Sequence, residues 1–283
     1  MRCFQSIGIA GLGLLGGSIA LAARARCLAS KIHGYTRTRE TLKKAEDLGL
    51  IDKSFQDFSQ MVGDSEFVIL CAPISVNVEF AKIIARVKPM MLFTDVGSTK
   101  ETIVHAVEDT FPQGNRFCGS HPMAGSEKRG IENANGQLFD GKTVIVTPAR
   151  NSESSVVETV EKFWVNLGAN VIIMESGQHD KICALTSHFP HLMAFLLVEM
   201  LSEDFNSDQV RACIGSGFRD TTRIAASDRE IWGEIFLHNN TNVLGAIEKF
   251  REKLAVIENL IEKKDINSIK RWIEKIKILR SQI

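Results

Sequence analysis

Excess charge of either sign is missing: 34 lysines and arginines balance 34 aspartates and glutamates over 283 residues. That balance argues against a nucleic-acid binder working through a broad cationic face. Paired cysteines are missing too. Cys3, Cys27, Cys71, Cys118, Cys183 and Cys213 are far apart and form no C-x-x-C motif. Such spacing speaks against a structural zinc site and a disulfide-stapled secreted scaffold, and fits small apolar residues in a reducing compartment. Apolar runs are broken by charge or glycine well short of the roughly 20 residues of a bilayer span, and no signal-peptide layout opens the chain. Repeats and low-complexity segments are absent. With 44% hydrophobic residues and no net charge, the sequence is too apolar for disorder. The expectation is a cytoplasmic globular protein of about two domains, with no nucleic-acid or membrane partner.

What the sequence does have is an alternation. Residues 4–10, 31–35, 67–72, 91–96, 142–147 and 170–174 are apolar runs of strand length, and helical patterns separate most of them. Nearly continuous apolar strands alternating with helices predict a parallel sheet covered on both faces. After about residue 176 helical spacing takes over. Ile247, Phe250, Leu254, Ile257 and Ile261 recur at steps of three and four, as do Ile266, Ile269, Ile273 and Ile276. Each set forms one apolar stripe that either packs within the helical part or forms a seam with a second copy. The predicted division is an α/β domain over 1–175 and an all-α domain over 176–283.

Gly11, Gly13 and Gly16 form G-x-G-x-x-G directly after the first strand and at the opening of a helix. In that context Gly11 makes a tight turn, Gly13 lets the backbone approach a pyrophosphate, and Gly16 lets helix and strand pack closely. Leu14 and Leu15 lie between the glycines and belong to the same predicted site. The pattern predicts a Rossmann-type, doubly wound dinucleotide-binding domain. Cofactor choice turns on the end of the second strand, where an acid would favour NAD. The chain reads Tyr35-Thr36-Arg37-Thr38-Arg39 there. A hydroxyl at Thr36 followed by guanidinium groups at Arg37 and Arg39 suits a 2′-phosphate, so the reading is NADP, or dual use, over strict NAD.

Three later segments concentrate polar residues where such a sheet places its crevice. They are Thr94 to Lys100, containing Ser98; Gly119 to Glu127, containing His121; and Thr186 to His191, containing His188 and His191. Ser98 doubles as a candidate helix N-cap, and His121 reads as held in a glycine-containing loop. Two histidines three apart, with Pro190 between them, make a weak zinc motif.

Taken together, GLGLLGGS, DVGSTK, GSHPMAGSE, SHFPH and GSGFRDTTR followed by Trp232 resemble the prephenate and arogenate dehydrogenases of tyrosine biosynthesis, from residue 7 to about 232. The resemblance implies a helical C-terminal domain that joins a homodimer, and a reaction in which hydride leaves C4 of a cyclohexadiene for NAD(P) and carbon dioxide is lost. It implies that His121 accepts the hydrogen bond of the C4 hydroxyl, a task suited to neutral imidazole. By the same resemblance Ser98 orients His121 and the nicotinamide, and His191 contacts the substrate. Ser187 and Ser126 line the pocket, Arg223 binds a substrate carboxylate, and Trp232 forms a wall. His188 is read as structural. Glu127 is a candidate to meet the ammonium group that distinguishes arogenate. Thr36-Arg37 departs from the Asp that family members often carry at the ribose. Two other readings stand beside this one: a dehydrogenase of small hydroxy acids or imines, and an NADP-binding sensor without turnover.

Overall fold

A computed structural model describes residues 4–124, 130–201 and 208–282. Strand β1 (Phe4–Ala10) feeds helix α1 (Leu14–Ala25). The alternation continues through β2 (Ala29–Tyr35), α2 (Arg39–Asp47), β3 (Lys53–Phe55), α3 (Phe58–Asp64), β4 (Phe67–Leu70), α4 (Ile74–Val87), β5 (Leu92–Asp95) and α5 (Glu101–Thr110). These five strands are parallel, in the order β3-β2-β1-β4-β5. Strand order reverses between β1 and β4, which opens the crevice of a doubly wound sheet beyond their carboxyl ends.

Side-chain alternation explains the two helical layers. On β4, Phe67 and Ile69 join the apolar layer beneath α1, whereas Val68 and Leu70 join the layer beneath α3 and α4. All four are fully buried. Each such side chain contributes about 1.5–3 kcal/mol through burial, so the strand is held from both faces.

A second sheet extends the first through a Phe93–Phe117 bridge. It comprises β6 (Cys118–Pro122), β7 (Thr143–Pro148) and β8 (Asn170–Ile173), with α6 (Ser154–Asn166) between the last two. Strand β6 runs antiparallel to β7, which corrects the expectation of a wholly parallel sheet. His121 consequently lies on a strand, opposite Ile145, and not in a loop. Gly119 and Pro122 mask that strand in the sequence: a Cβ at Gly119 would come within 2.5 Å of the Thr147 hydroxyl, and Pro122 sits at the strand's end.

Among the described residues, every element after β8 is helical: α7 (Ser176–Cys183), a π turn over Ala184–His188, α8 (Phe189–Glu199), α9 (Asp208–Cys213), α10 (Ser216–Thr222), a 3-10 turn at Arg223–Ala226, α11 (Arg229–His238), α12 (Asn240–Glu262) and α13 (Ile266–Arg280). Helix α7, the π turn and α8 form one 24-residue helical run that contains an 18-residue stretch with a mean hydropathy of 1.4, long and apolar enough to span a bilayer by composition. The sequence reading did not anticipate a run of that length. Its His179 and Asp180 are nevertheless fully buried and hydrogen-bonded to the α/β half, which marks it as a helix of the folded body. On α12 and α13, Leu254, Ile261, Ile266, Ile273 and Ile276 are exposed, so the two stripes are not core of this chain.

Candidate active site

The turn after β1 is shaped for close approach. Gly11 adopts φ +103°, and a Cβ there would lie 2.6 Å from the Cys71 carbonyl oxygen. A Cβ on Gly16 would lie 1.9 Å from the Gly11 carbonyl oxygen, so only glycine lets α1 pack onto β1. A Cβ on Gly13 would meet nothing within 4 Å. Gly13 caps α1 without a side-chain hydrogen bond, and the first-turn amides of α1 lie beside an open cavity. Those amides, with the positive end of the helix, fit a pyrophosphate.

Two cavities meet at Gly13, Cys71 and Gly130. The first, of about 530 Å³, is lined by Gly11, Thr36, Arg37, Glu40 and Lys44, among others. Its position at the end of β2 is that of an adenosine ribose. Lys44 is bonded across it to Glu132, at 2.9 Å. Arg39, expected to bind cofactor, is not in this lining; its guanidinium donates to Gln56 Oε1 at 3.1 Å.

The second cavity, of about 680 Å³, brings most of the expected residues together. Leu14, Leu15 and Gly16 form one wall, with Ser98 from the loop after β5 and His121 from β6. Ser187, His191, Arg223 and Trp232 come from the helical half. Ser98 is not the cap of α5, since Lys100 holds that position. Ser126 and Glu127 lie outside the described residues.

A hydrogen-bond chain sets the protonation pattern of His121. Its Nδ1 lies 2.8 Å from His179 Nε2, and His179 Nδ1 lies 2.7 Å from Asp180 Oδ1. Asp180 also accepts from the backbone amides of Lys100 and Glu101, at 2.8 and 2.9 Å. A carboxylate surrounded by donors is an acceptor, so His179 donates through Nδ1 and its Nε2 is left to accept. His121 must then donate through Nδ1, which leaves its Nε2 as an acceptor. Burial holds the His121 pKa well below the usual imidazole value, with His179 and Lys100 adding to the effect. The imidazole is neutral at pH 7 and able to accept a proton.

Lys100, a surface residue by type, is fully buried. Its ammonium pairs with Asp95 and donates to the Ser120 carbonyl oxygen at 3.0 Å, tying β5 to β6 one residue before His121. Breaking such a pair by removing one partner costs about 3–5 kcal/mol.

Facing this arrangement, His191 stacks on Trp232 with centroids 3.7 Å apart and planes at 23°. Its Nδ1 donates to the Ser187 carbonyl oxygen at 2.8 Å. Burial lowers its pKa and the nearby Arg223 adds to this, although the Ser187 carbonyl opposes them. The π turn explains the placement: His179, Cys183, Ser187 and His191 follow at steps of four, and the wider turn offsets the drift an α-helix would impose on that row. His188 points the other way. It is buried, accepts from Asn239 Nδ2 at 3.0 Å, and burial lowers its pKa to about 4. Arg219 donates to the Ile214 carbonyl oxygen and does not line the cavity.

Sequence reasoning missed His179, Asp180, Lys100 and Asp228. Asp228 lines the cavity while capping α11 through the amides of Glu230 and Ile231. The available signals were the four-residue row from His179 to His191 and an Asp just ahead of a helical pattern.

Comparison with known proteins identifies the family. The family model "Prephenate dehydrogenase, nucleotide-binding domain" matches residues 19–173, and "Prephenate dehydrogenase, dimerization domain" matches 175–275. Prephenate dehydrogenase of Bacillus subtilis is 32% identical, over 98% of this chain and 75% of its own length. Cyclohexadienyl dehydrogenase of Zymomonas mobilis is 30% identical, over 94% and 91%. The crystal structure of Aquifex aeolicus prephenate dehydrogenase with hydroxyphenyl propionate and NAD+ superposes with a TM-score of 0.92 at 34% identity, over 99% of both chains. The chain belongs to the prephenate dehydrogenase family and is an oxidoreductase that works with a nicotinamide dinucleotide.

Proposed function

We propose that this enzyme oxidatively decarboxylates prephenate, arogenate or both, giving 4-hydroxyphenylpyruvate or tyrosine. The observation that carries the reading is the shared cavity: His121 and Ser98 from the α/β half face His191, Ser187, Arg223 and Trp232 from the helical half, beside the Gly13 turn. When bound, the nicotinamide accepts the hydride from C4. His121 Nε2 takes the C4 hydroxyl proton as the carbonyl forms. Loss of the ring carboxylate as carbon dioxide then drives its electron pair into the ring, and His121 returns the proton to the phenolic oxygen. The lowered pKa keeps His121 in the neutral, accepting form before the reaction and favours release of the proton after it. The Arg223 guanidinium matches a planar carboxylate, and the His191–Trp232 stack bounds the ring. Ser98 lines the same cavity, where the task we assign to it is to orient His121 and the nicotinamide.

For the cofactor, the reading is NADP or dual use. Arg37 and Thr36 line the ribose end, beside Glu40 and the Lys44–Glu132 pair. The division of labour runs at residue 175, with dinucleotide binding before it and substrate binding and homodimer formation after it. A cytoplasmic site fits the free thiols of Cys27, Cys71, Cys118, Cys183 and Cys213.

Steady-state assays with prephenate and arogenate, each with NAD and NADP, test the whole reading. Turnover of at least one substrate is expected, with kcat/KM for NADP equal to or above that for NAD. Cofactor binding without turnover of either substrate would overturn the enzymatic assignment, and a large preference for NAD would overturn the cofactor reading alone.

A further inference from the structure

His121 Nδ1, His179 Nε2 and Cys183 Sγ lie within 4.8 Å of one another, on the wall of the substrate cavity and directly behind it. The mechanism uses the first two as hydrogen-bonding atoms and leaves the thiol without a task. We propose that these three atoms form an inhibitory site for a soft divalent cation, with zinc as the type case.

The donor set is two imidazoles and a thiolate, which suits zinc, cadmium or cobalt and discriminates against magnesium and calcium. Two of the three distances are close to those required. Donors sharing one tetrahedral zinc stand about 3.3 Å apart for two nitrogens and about 3.5 Å for nitrogen and sulfur, given bonds of about 2.0 and 2.3 Å. The structure has 2.8 Å between the nitrogens and 3.4 Å from His179 Nε2 to Cys183 Sγ. A shift of about half an ångström sets the nitrogen pair, and His121 and Cys183, which stand within 4.8 Å of each other, must close by up to about an ångström for all three donors to share the ion. The surroundings supply what metal-bound histidines require. His179 already donates its other ring N–H to Asp180, the carboxylate–histidine arrangement that orients a ligating imidazole and raises its basicity. The nearest cation, Lys100, is paired with Asp95 and leaves little net repulsion. Three protein donors leave a fourth position for water.

Binding would switch His121 off without blocking the cavity. The cation takes the Nδ1 and Nε2 lone pairs and the thiolate, and the Cys183 proton leaves to solvent. The proton that His121 carried on Nδ1 moves to its Nε2, so the ring stays neutral but now presents N–H to the substrate. An N–H cannot accept the hydroxyl proton. Inhibition through this tautomer rests on the role given to His121 above, whereas occupancy of the site does not.

Two measurements on the full-length protein decide the matter. Cobalt titration of the metal-free protein should produce a sulfur-to-cobalt charge-transfer absorption band that is lost in Cys183→Ser. In steady state, zinc should lower kcat with KM for substrate unchanged and EDTA should restore it. Cys183→Ser should turn over normally in chelated buffer and require at least about tenfold more zinc for the same inhibition. A wild-type protein without the cobalt band, a band that survives Cys183→Ser, or equal zinc sensitivity of the two proteins would overturn the proposal. If neither cyclohexadiene substrate is turned over, the cobalt arm still decides whether the site exists. A melting curve for Cys183→Ser matching wild type excludes misfolding, and Cys183→Ala serves where serine disturbs the helix.

Discussion

The α/β and helical halves solve the burial problem differently. In the first half the strands are covered on both faces: Ile7, Ile9, Phe67 and Ile69 on one side, Val68, Leu70 and Phe93 on the other, are all fully buried. In the second half the long helices α12 and α13 bury little. Val243 and Ala246 are covered, while Leu254, Ile261, Ile273 and Ile276 face outward. One half is closed by its own chain. The other leaves an apolar face open, and its match to a dimerization domain makes that face our proposed seam with a second copy. The contrast extends to the proposed site, where the sheet half carries the proton acceptor we assign to His121 and the helical half the anion clamp we assign to Arg223.

The strongest way to break this contrast is a charge at the seam. Ile273→Glu should convert the dimer to monomer in analytical ultracentrifugation and lower the unfolding temperature of the helical half, while dinucleotide binding persists. A dimer unaffected by this change would place the seam elsewhere. Next in size is the chemistry of the sheet half. His121→Asn should lower kcat about a hundredfold or more with KM little changed. On the helical side, Arg223→Ala should raise KM about 10- to 100-fold, the cost of a lost charge-assisted hydrogen bond of about 1.5–3 kcal/mol. If kcat fell instead and KM held, the clamp and the acceptor would not divide between the halves as described.

The smallest effect is a pH dependence. His188 has its pKa lowered to about 4 in the folded protein, chiefly by burial, against 6.5 in an exposed histidine. The folded state thus holds fewer protons on this ring than the unfolded state between those values. Its contribution to stability is complete above about pH 6.5 and is lost as pH falls towards 4, amounting to at most about 3 kcal/mol. Denaturation midpoints across that range in wild type and His188→Gln should converge at the acid end. Parallel curves would remove His188 as the cause.

The halves also differ in how much of them could be read from sequence. The turn at Gly11, Gly13 and Gly16, the strands β1, β4 and β5, and the helical character after residue 176 follow from local pattern, because apolar period and turn chemistry act over a few residues. Strand β3 and helix α3 went unread because three residues of strand and seven of helix give too little periodicity. The His121–His179 contact spans 58 positions, and nothing local pairs them. Lys100 was passed over although its ion-pair partner Asp95 is close in sequence, because its other contacts, with Ser120 and Asp180, lie 20 and 80 positions away. His188, by contrast, was read as structural from the start, and it bonds to Asn239 in the interior while His191 lines the cavity.

Asp180 has a consequence that outlasts these details. A single carboxylate, carried by the helical half, anchors the start of α5 in the sheet half and also fixes the tautomer on which proton transfer depends. Architecture and reactivity therefore share one inheritance at this position. A lineage that loosened the junction between the halves would blunt its own catalyst, and one that retuned the acceptor through this residue would weaken the joint.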